Sequence, residues 1–461
     1  MELIRGSGIL NFIIPDKWIN ASFGKGIRKL VSEKKNVKRL ISFGAHQIFS
    51  ASTYSSLVWI GKKKVGAIQY MKVEPKDSST TLEAELSLID DNCFTANDYS
   101  QITEQPWILV SGKDAKVMSL LQGMTKKLTQ YLNIFVGLQT SKDSVYLLKN
   151  AALNGGSYEA DSAELSRRVR IEQGLAKPLL LGDQVHRYQP LQTDNIVIFP
   201  YLLNGDARPE LMTEEYIAQH FPEGYAYLKA CEDVLRGRER GRFYDEQWFQ
   251  FGRKQGIAYG EKPKLLAPDI SLGGNFSYDP EGRFYTTTTL YGYIKKEGIS
   301  ESYEYWMAIL NSSVLWFYLK NTGSVLANGY YRYKPAYLKN FPVPEVDQVE
   351  EYYLSQLVPY LLTINSLSET NKLMVAFFEQ LIDGLVYELY FPEEIRAAGK
   401  EILPHLGELT PITDSMNDEE KLAVIQREFD RLYDPNHPVR NAIETLDSVE
   451  VVRTIREALK K

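Results

Sequence analysis

The residues of this sequence that could perform chemistry form no complete motif for a familiar reaction. The pair Gly6-x-Gly8 precedes an apolar run instead of following one, and Gly24-x-Gly26 lacks a third glycine, so neither predicts a dinucleotide-binding turn. The segments PDKW and PDIS resemble the first half of a nuclease carboxylate pair, but no E-x-K follows at a fitting distance. We interpret both segments as turns and predict no catalytic residue within this chain.

The histidines and cysteines do not predict a metal centre either. Cys93 and Cys231 lie far apart, and the five histidines are dispersed: His46, His186, His220, His405 and His437. Neither a zinc spacing nor a disulfide framework results, which favours a reducing compartment and a cytoplasmic protein. We expect no metal, no secretory signal and no membrane segment, because no apolar run approaches the roughly 20 residues of a membrane helix.

One aromatic residue stands out by its position. In GAHQIFSASTYSSLVWI, Phe49 lies in a polar loop between two apolar runs. In an open α/β sheet, a loop at the carboxyl ends of the strands borders the ligand crevice, and Phe49 would then lie beside a pocket. The alternative interpretation is that Phe49 is an ordinary core residue, which is the commoner environment of phenylalanine.

The segments around this loop predict part of an α/β sheet. Residues 8–15, GILNFIIP, are typical of a strand buried on both faces, as in a parallel sheet. SFGKGIRKLVSEKKN predicts a helix with Ser22 as its N-cap and an apolar stripe of Ile27, Leu30 and Val31. VKRLISFG and YSSLVWIGKKK predict two further strands. So small a sheet would leave apolar surface exposed, and we expect a missing half or a partner chain to cover it.

The remainder predicts an irregular α+β region followed by helices. Residues 114–131 have helical spacing, and residues 133–151, NIFVGLQTSKDSVYLLKNA, predict a β-hairpin with a polar tip. Beyond the Pro-marked segment NFPVPEVD, two strongly amphipathic segments predict helices that pack on one another or on a partner. We predict three regions: an α/β portion with a linker at 1–112, an α+β domain at 113–345 and a helical region at 346–461.

The charge distribution is uneven along the chain. The net charge is −6, but residues 1–64 contain 12 Lys and Arg against 3 acidic residues, whereas residues 345–461 contain 23 acidic residues against 11 basic ones. A chain with one basic end can present a phosphate-facing surface despite an acidic total. The alternative is that both ends are simply solvated faces.

Several of these segments, taken in order, resemble one family. GILNFIIPDKWI, FGKGIRKLV and VKRLISFGAHQIFSASTYSSLVWI are similar to the last part of the catalytic domain of adenine-specific DNA methyltransferases of the TaqI-like and type IIG restriction–modification kind. VGLQTSKDSVYLL, KPLLLGDQVHRY, EKPKLLAPDISLGGNFSYDPEGRFYTTTTLYGY, MAILNSSVLWFYL and GYYRYKPAYLKNFPVPEVD resemble the target-recognition domain of that family. The resemblance implies an N-terminal remnant of a Rossmann-like methyltransferase sheet, a central α+β target-recognition domain and a C-terminal helical region, of which LIDGLVYELYFPEEI is a part.

The resemblance also implies what the chain lacks. In this family a glycine-rich S-adenosylmethionine loop and an Asn/Asp-Pro-Pro-Tyr/Phe motif lie upstream of the strand at 8–15, and this sequence contains no Pro-Pro. We therefore expect the complete enzyme to use S-adenosylmethionine and this chain alone to bind none, either as a split subunit or as a fragment. Phe49 matches the family aromatic that stacks on the extruded target adenine, with the neighbours 50–54 lining the same pocket.

The family resemblance further implies binding to double-stranded DNA, with some residues gripping phosphates and others contacting base edges. The predicted phosphate contacts are basic residues in the central domain, namely Lys142, Arg167, Arg168, Arg170, Lys177, Arg187, Arg236, Arg238, Arg240 and Arg242. The predicted base contacts are polar residues in loops, namely Gln139, Arg253, Lys254, Gln255, Asn328, Arg332 and Lys334. For the RGRERGR stretch, a solvated helix end is an equally probable alternative to a DNA contact. For the aromatic-basic run at 330–334, a packed sheet edge is equally probable.

Two interpretations of function remain open at this point, ahead of a self-sufficient enzyme of another kind, which is the weakest because no nucleophile, metal or phosphate loop is complete. In the first, the chain supplies DNA sequence recognition to an adenine-specific methyltransferase of a restriction–modification, or phage-defence, system, and it partners the missing catalytic half or a nuclease subunit. In the second, the acidic C-terminal helices dock a methyltransferase or nuclease, and the chain is an assembly subunit that hardly contacts bases.

Overall fold

The computed structural model describes residues 5–44, 48–49, 53–73, 82–203, 209–323, 325–367 and 371–460 of the chain. Within these ranges the architecture is mixed α/β, with several separate sheets and many helices. At this level the predicted combination of α/β and α+β structure is confirmed.

The N-terminal region is a five-stranded sheet with helices beside it. Its elements are β1 (Ile9–Pro15), α1 (Lys25–Lys34), β2 (Val37–Ser42), β3 (Ser55–Gly61), β4 (Ala67–Lys72), α2 (Leu82–Ser87) and β5 (Thr95–Asp98). The strand order is β1-β3-β2-β4-β5, in which β2 and β4 run parallel and the other neighbours pair antiparallel. The carboxyl ends of β2 and β4 therefore meet at one edge of this sheet.

The prediction of a first strand buried on both faces is wrong. β1 lies at the edge of the sheet, antiparallel to β3, and the side chains of Ile9, Phe12 and Ile13 are exposed. An apolar run predicts that other elements cover the strand, but in the described part of this chain only Leu10 and Ile14 are half-buried.

The predicted apolar stripe of α1 is only partly correct. Val31 is buried, whereas Ile27 and Leu30 are exposed. Ser22 begins a short 3-10 turn, and α1 itself starts at Lys25 without a side-chain cap. The inward face of α1 is completed by Arg28, whose guanidinium donates hydrogen bonds to the carbonyls of Trp18 and Ala21.

The central region contains the most elements. Its helices are α3 (Asp114–Gly123), α4 (Asp143–Tyr146), α5 (Glu214–His220), α6 (Pro222–Ala230), α7 (Glu232–Arg236), α8 (Arg238–Gly241), α9 (Tyr303–Asn311), α10 (Ser313–Thr322) and α11 (Pro335–Leu338). Its strands are β6 (Leu132–Val136), β7 (Leu147–Asn154), β8 (Ser157–Ser162), β9 (Arg167–Glu172), β10 (Ala176–Leu180), β11 (Ile196–Ile198), β12 (Tyr201–Leu202), β13 (Glu210–Leu211), β14 (Lys264–Pro268), β15 (Ile270–Ser271), β16 (Ser277–Asp279), β17 (Tyr285–Thr286), β18 (Leu290–Lys295) and β19 (Tyr331–Arg332). The helix predicted over 114–131 thus ends at residue 123.

The central strands form two larger sheets with separate cores and two short ribbons. One sheet has six strands in the order β17-β10-β11-β7-β8-β9, the other has four in the order β16-β14-β18-β6, and the pairs β12-β13 and β15-β19 make the ribbons. Helices α5 to α7 pack in the core of the six-stranded sheet, and α3, α9 and α10 belong to the core of the four-stranded sheet.

The hairpin predicted at 133–151 is wrong. β6 belongs to the four-stranded sheet and β7 to the six-stranded sheet, with α4 between them. The polar tip is a crossing segment that pairs with distant residues: Leu138 N–H donates to Thr286 O, and Gln139 pairs with Arg253. The actual hairpin joins β7 to β8 through Gly155 and Gly156, whose positive φ angles of 58° and 86° fit a two-residue turn.

The C-terminal helices share the core of the four-stranded sheet. They are α12 (Gln348–Leu367), α13 (Lys372–Tyr390), α14 (Pro392–Ala397), α15 (Asp418–Leu432), α16 (Pro438–Glu444) and α17 (Glu450–Leu459). α12 packs on α13 and on α9, and all of them contribute to one apolar cluster that also contains β14 and β18 residues. The predicted packing of the amphipathic segments on one another is confirmed. The domain limits at 112 and 345 stay a prediction.

A buried ion pair lies inside the four-stranded sheet. Lys264 on β14 and Asp279 on β16 are each 1% exposed, with 2.6 Å between Nζ and Oδ2. Lys264 also donates to Gly260 O, and Asp279 accepts from the backbone N–H groups of Arg283 and Phe284. Both charges are therefore compensated within the fold.

Removing one partner of this pair should destabilise the protein strongly. Lys264→Met leaves a buried carboxylate without its cation, and we expect the free energy of unfolding to fall by about 3–5 kcal/mol. Arg396→Met, which breaks an exposed pair with Glu401, should cost less than about 1 kcal/mol. Denaturant unfolding measures both, and equal effects of the two substitutions would contradict this assignment.

Candidate nucleic-acid interface

Phe49 lies between β2 and β3 and is 47% exposed. The alternative that it is a core residue is therefore wrong. Its neighbours 45–47 and 50–52 lie outside the described residues, and so do His46 and the first three of the predicted pocket residues 50–54. An exposed phenylalanine ring is available for stacking, and its role in binding a base stays a prediction.

The two ends of the loop that carries Phe49 are held by one residue, Asp16. The backbone N–H of Asp16 donates to Tyr54 O at 3.0 Å, and its carboxylate accepts from Ser42 Oγ at 3.2 Å. Lys17 Nζ lies 5.7 Å from the centroid of the Tyr54 ring. These contacts join the start of the loop, its end and the segment after β1.

Burial raises the pKa of the Asp16 carboxyl above its ordinary value, and the Ser42 hydrogen bond, Lys17 and Lys72 only partly oppose this effect. Asp16 and Lys17 belong to the PDKW segment, which forms the predicted turn as a 3-10 helix. The other predicted turn, PDIS, instead joins β14 to β15. Sequence reasoning missed Asp16 because its partners are distant in the chain.

A cavity of about 610 Å³ opens at the carboxyl ends of β2 and β4. Its lining includes Asp16, Ser42 and Lys72 from the N-terminal region, and Tyr331 together with residues at the ends of α10 and α17. Five lysines and three acidic residues line it: Lys17, Lys72, Lys113, Lys320 and Lys460, with Asp16, Asp114 and Glu457. Its volume lies within the roughly 300–1,000 Å³ of small-molecule pockets, at the position where open α/β sheets bind ligands.

One predicted DNA contact is wrong. The Arg238 side chain is buried and donates to the carbonyl oxygens of Leu235, Thr140, Trp248 and Gln250. Four of its five N–H donors bond inside the protein and the side chain is buried, so it is not available to a phosphate. The RGRERGR pattern indicated a solvated charge, whereas this arginine holds the 140, 235 and 250 segments together.

The structure brings several of the other predicted contacts together. Glu239 Oε1 accepts from Ser141 Oγ at 2.7 Å and from Arg253 Nη1 at 2.9 Å, and its Oε2 lies 3.3 Å from Arg242 Nη1. Arg253 N–H also donates to Gln139 O. Three loops that are distant in sequence thus form one surface, which we call the loop patch: Gln139, Lys142, Arg240, Arg242, Arg253 and Lys254.

The backbone of the loop patch is strained. Glu239 and Arg240 are consecutive non-glycine residues with positive φ angles of 48° and 64°. Such conformations cost of the order of 1–3 kcal/mol each and cluster at functional sites. Gly252 permits the close approach of the loops, because a Cβ at this position would lie 1.8 Å from Ser141 Oγ.

The remaining predicted contacts are more scattered. Arg167, Arg168 and Arg170 lie exposed on β9, where Arg170 Nε is 3.1 Å from Glu223. Ion pairs also involve the following residues: Lys142 with Glu164, Arg168 with Asp161, Lys177 with Glu261, Arg187 with Glu379, Arg236 with Glu232 and Arg332 with Asp269. Lys334 is half-buried, and Lys254, Gln255 and Asn328 are exposed. Such partly exposed pairs are weak and can exchange for phosphate contacts.

The described residues contain no group of three or more His, Cys, Asp or Glu side chains that could hold a metal ion. No helix in the described ranges has the length and apolar character that crossing a membrane requires.

Asp16 should impose a measurable pH dependence on stability. Because the folded carboxyl has the raised pKa, the stability that this group contributes falls as the pH rises from its ordinary pKa of about 3.9 through the folded value. Asp16→Asn cannot ionise, so its midpoint of thermal unfolding should rise relative to wild type as the pH is raised from 4 to 7. The control Asp430→Asn, at an exposed site, should give a curve of unfolding midpoint against pH that is parallel to the wild-type curve. A parallel curve for Asp16→Asn would contradict the expectation.

Two segments of the chain match known protein families. Residues 177–343 match the TaqI-like C-terminal specificity domain, and residues 1–49 match the Eco57I restriction-modification methylase. The resemblance inferred from the sequence is thereby confirmed.

Curated relatives are type II restriction–modification proteins. The chain is 24% identical over 371 residues to the type II restriction enzyme and methyltransferase RM.Eco57I of Escherichia coli, covering 75% of this chain and 36% of that protein. It is 20% identical over 376 residues to the type II methyltransferase M.BanIII of Aneurinibacillus aneurinilyticus, covering 74% and 61%. The chain thus spans between about a third and two thirds of the length of these relatives.

Among solved structures, the type IIL restriction-modification enzyme MmeI in complex with DNA is similar in fold. The TM-score is 0.52 at 12% identity, covering 93% of this chain and 50% of that one. Together, these comparisons identify a TaqI-like specificity domain within this chain and make the chain similar, over about three quarters of its length, to type II restriction–modification methyltransferases.

Proposed function

We propose that this chain is the DNA sequence-recognition module of an adenine-specific DNA methyltransferase in a restriction–modification system of the cytoplasm. The observation that carries the proposal is the loop patch, which lies partly within the segment that matches the TaqI-like specificity domain. Its side chains offer cations for phosphates and bidentate donors for base edges on one exposed surface.

The internal contacts of the loop patch fit this role. Glu239 gathers Arg242 and Arg253 without burying them, since their side chains remain 63% and 47% exposed. Binding a phosphate would then replace a weak exposed ion pair and release counterions from the DNA. The predicted contacts on β9 and at Lys177, Arg187, Arg236, Arg332 and Lys334 are secondary in this proposal, and Arg238 is not part of it.

Phe49 and the cavity beside its loop suit a base that has left the duplex. The exocyclic amino group of adenine cannot be reached inside a duplex, so an enzyme that modifies it must extrude the base and hold it by stacking. Phe49 supplies an exposed ring, and Asp16 fixes both ends of its loop. Thr53 and Tyr54 are the described members of the predicted pocket segment.

The residues of this chain do not fit an S-adenosylmethionine site. They include neither the glycine-rich loop nor an Asn/Asp-Pro-Pro motif, so we assign the cofactor to a catalytic half outside these residues. A surface suited to such a half exists: β1, which pairs only with β3 among the described residues, exposes Ile9, Phe12 and Ile13, and α1 exposes Ile27 and Leu30. Apolar surface of this kind usually marks an interface.

The assembly-subunit alternative has less support. The apolar faces of α12 and α13 are buried against each other and against α9, so they are not available for binding a partner. Absence of binding to duplex DNA at low salt would nevertheless favour it.

The loop patch should give binding that is steeply dependent on salt. For random duplex DNA we expect affinity to fall markedly between about 50 and 200 mM salt. The triple variant Arg240→Gln, Arg242→Gln, Lys254→Gln should lower the slope of log affinity against log salt by about 3, at roughly 0.9 for each phosphate contact. Fluorescence anisotropy measures this slope.

The matched control removes three exposed cations from the C-terminal helices: Arg396→Gln, Arg427→Gln and Arg453→Gln. This variant has the same net charge and should keep the wild-type slope. Equal losses in the two triple variants would show that binding follows net charge alone and would contradict the assignment to the loop patch.

Because of Phe49, the protein should bind an adenine nucleotide more tightly than an abasic one. We expect wild type to bind a short single-stranded adenine oligonucleotide about 5- to 150-fold more tightly than one with abasic central positions, from stacking of about 1–3 kcal/mol. Phe49→Ala should lose this preference and Phe49→Trp should keep it. A preference retained in Phe49→Ala would remove Phe49 from the proposed pocket.

A further inference from the structure

A short ribbon, one residue of which lines the cavity, exposes three large apolar side chains. Ile270 and Leu272 on and after β15, and Tyr330 before β19, are 44%, 59% and 40% exposed. A Cβ placed on Gly329 would lie 4.0 Å from Leu272 Cδ1, so the Leu272 side chain rests on the turn that precedes Tyr330. We call these three side chains the apolar wedge.

The ribbon that carries the wedge is firmly anchored. Ile270 pairs with Arg332 and Ser271 with Tyr331, and the Tyr333 N–H donates to Asp269 O at 2.7 Å. On its inner side, Tyr331 is buried and meets Trp316 edge to face, with 5.2 Å between ring centroids. The wedge is therefore held in one position before it meets a partner, which lowers the entropy cost of binding.

The turns at the tips of the ribbon have fixed, uncommon backbone conformations. Gly273, Asn328 and Gly329 have positive φ angles of 92°, 59° and 75°. Ser271 Oγ donates to Gly273 O at 2.8 Å and accepts from Asn275 Nδ2 at 2.7 Å, which closes the first turn. An apolar surface supported by such turns has a defined backbone conformation, unlike a single apolar residue on a mobile loop.

The position and charge of the ribbon indicate its partner. Its inner residue Tyr331 lines the same 610 Å³ cavity as Ser42 and Tyr54, which lie at the two ends of the Phe49 loop. The only acidic side chain on the ribbon, Asp269, is paired with Arg332 at 2.9 Å, while Lys334 and Lys339 follow it in the chain. Apolar side chains next to a cavity that is lined by five lysines and three acidic residues suit a polyanion with an apolar interior. A DNA duplex at an opened base step is such a polyanion.

We propose that the apolar wedge enters duplex DNA at the step from which a base has been extruded and occupies the space that the base leaves. Leucine, isoleucine and aromatic side chains are used as wedges between base steps by DNA-bending proteins, where they offset the cost of unstacking. The inference rests on the proposed DNA-recognition function, but it concerns a different surface from the loop patch. Leu272 and Tyr330 act as positioning residues that hold the duplex open.

The test compares binding to an intact 20-base-pair duplex and to the same duplex with one central abasic site. The abasic duplex already contains the gap in the base stack that the wedge would fill. Wild type should therefore bind it at least about tenfold more tightly than the intact duplex. Leu272→Ala combined with Tyr330→Ala should abolish this preference while keeping the salt dependence of intact-duplex binding. The control Leu373→Ala combined with Val349→Ala removes two similarly exposed apolar side chains from the C-terminal helices and should keep the preference.

The outcomes separate the two proposals. Wild type that binds both duplexes equally, or a wedge variant that keeps the abasic preference, would overturn the wedge and leave the recognition function intact. Wild type that binds no DNA at low salt would overturn both. Sedimentation of the same variants provides a further check, because a wild-type dimer that the wedge substitutions dissociate would assign this face to a second copy of the chain.

Discussion

Burial of α9 between the four-stranded sheet and the C-terminal helices is the constraint on which the rest of the described structure depends. From Tyr305 to Asn311 every residue of this helix is buried, and it contacts β14 and β16 on one side and α12 and α13 on the other. Ser302 caps it and is held by Glu351 of α12, while Asn311 bonds both backbone groups of Phe276. A helix that is apolar all round has no stable position except inside such a core.

This core fixes the site because α10 follows α9 after a single residue. Ser312 ends one helix and caps the next, so the far end of α10, which lines the cavity, is set by the orientation of α9. α17 packs on α10 and α3, and Lys320 donates to Ala458 O at 2.7 Å. The acidic C-terminal region thereby becomes a wall of a cavity whose other wall belongs to the basic N-terminal sheet.

Electrostatics acts in two distinct ways in this molecule. Inside the fold, Arg238 and the Lys264–Asp279 pair are buried and hydrogen-bonded within the protein, so they contribute to rigidity and offer nothing to a ligand. At the surface, Glu239 holds Arg242 and Arg253 in place while they stay exposed, which keeps them available to a polyanion. Burial, and not sequence clustering, separates the buried Arg238 of RGRERGR from the exposed Arg240 and Arg242 and from the half-buried Arg236.

Local patterns in the sequence determined the elements whose stabilisation is local or depends on one amphipathic face. The strands β2 and β3, the helix α1 before them and the packing of α12 on α13 follow from β-branched content and helical spacing. A set of segments in a fixed order was enough to show the resemblance to restriction–modification methyltransferases. Tertiary structure alone decided the partners of polar segments. The supposed hairpin at 133–151 joins two sheets because Leu138 and Gln139 pair with residues more than 100 positions away. The cavity, the role of Asp16 and the apolar wedge have no sequence signature, since each arises from contacts between residues whose separation along the chain carries no periodic signal.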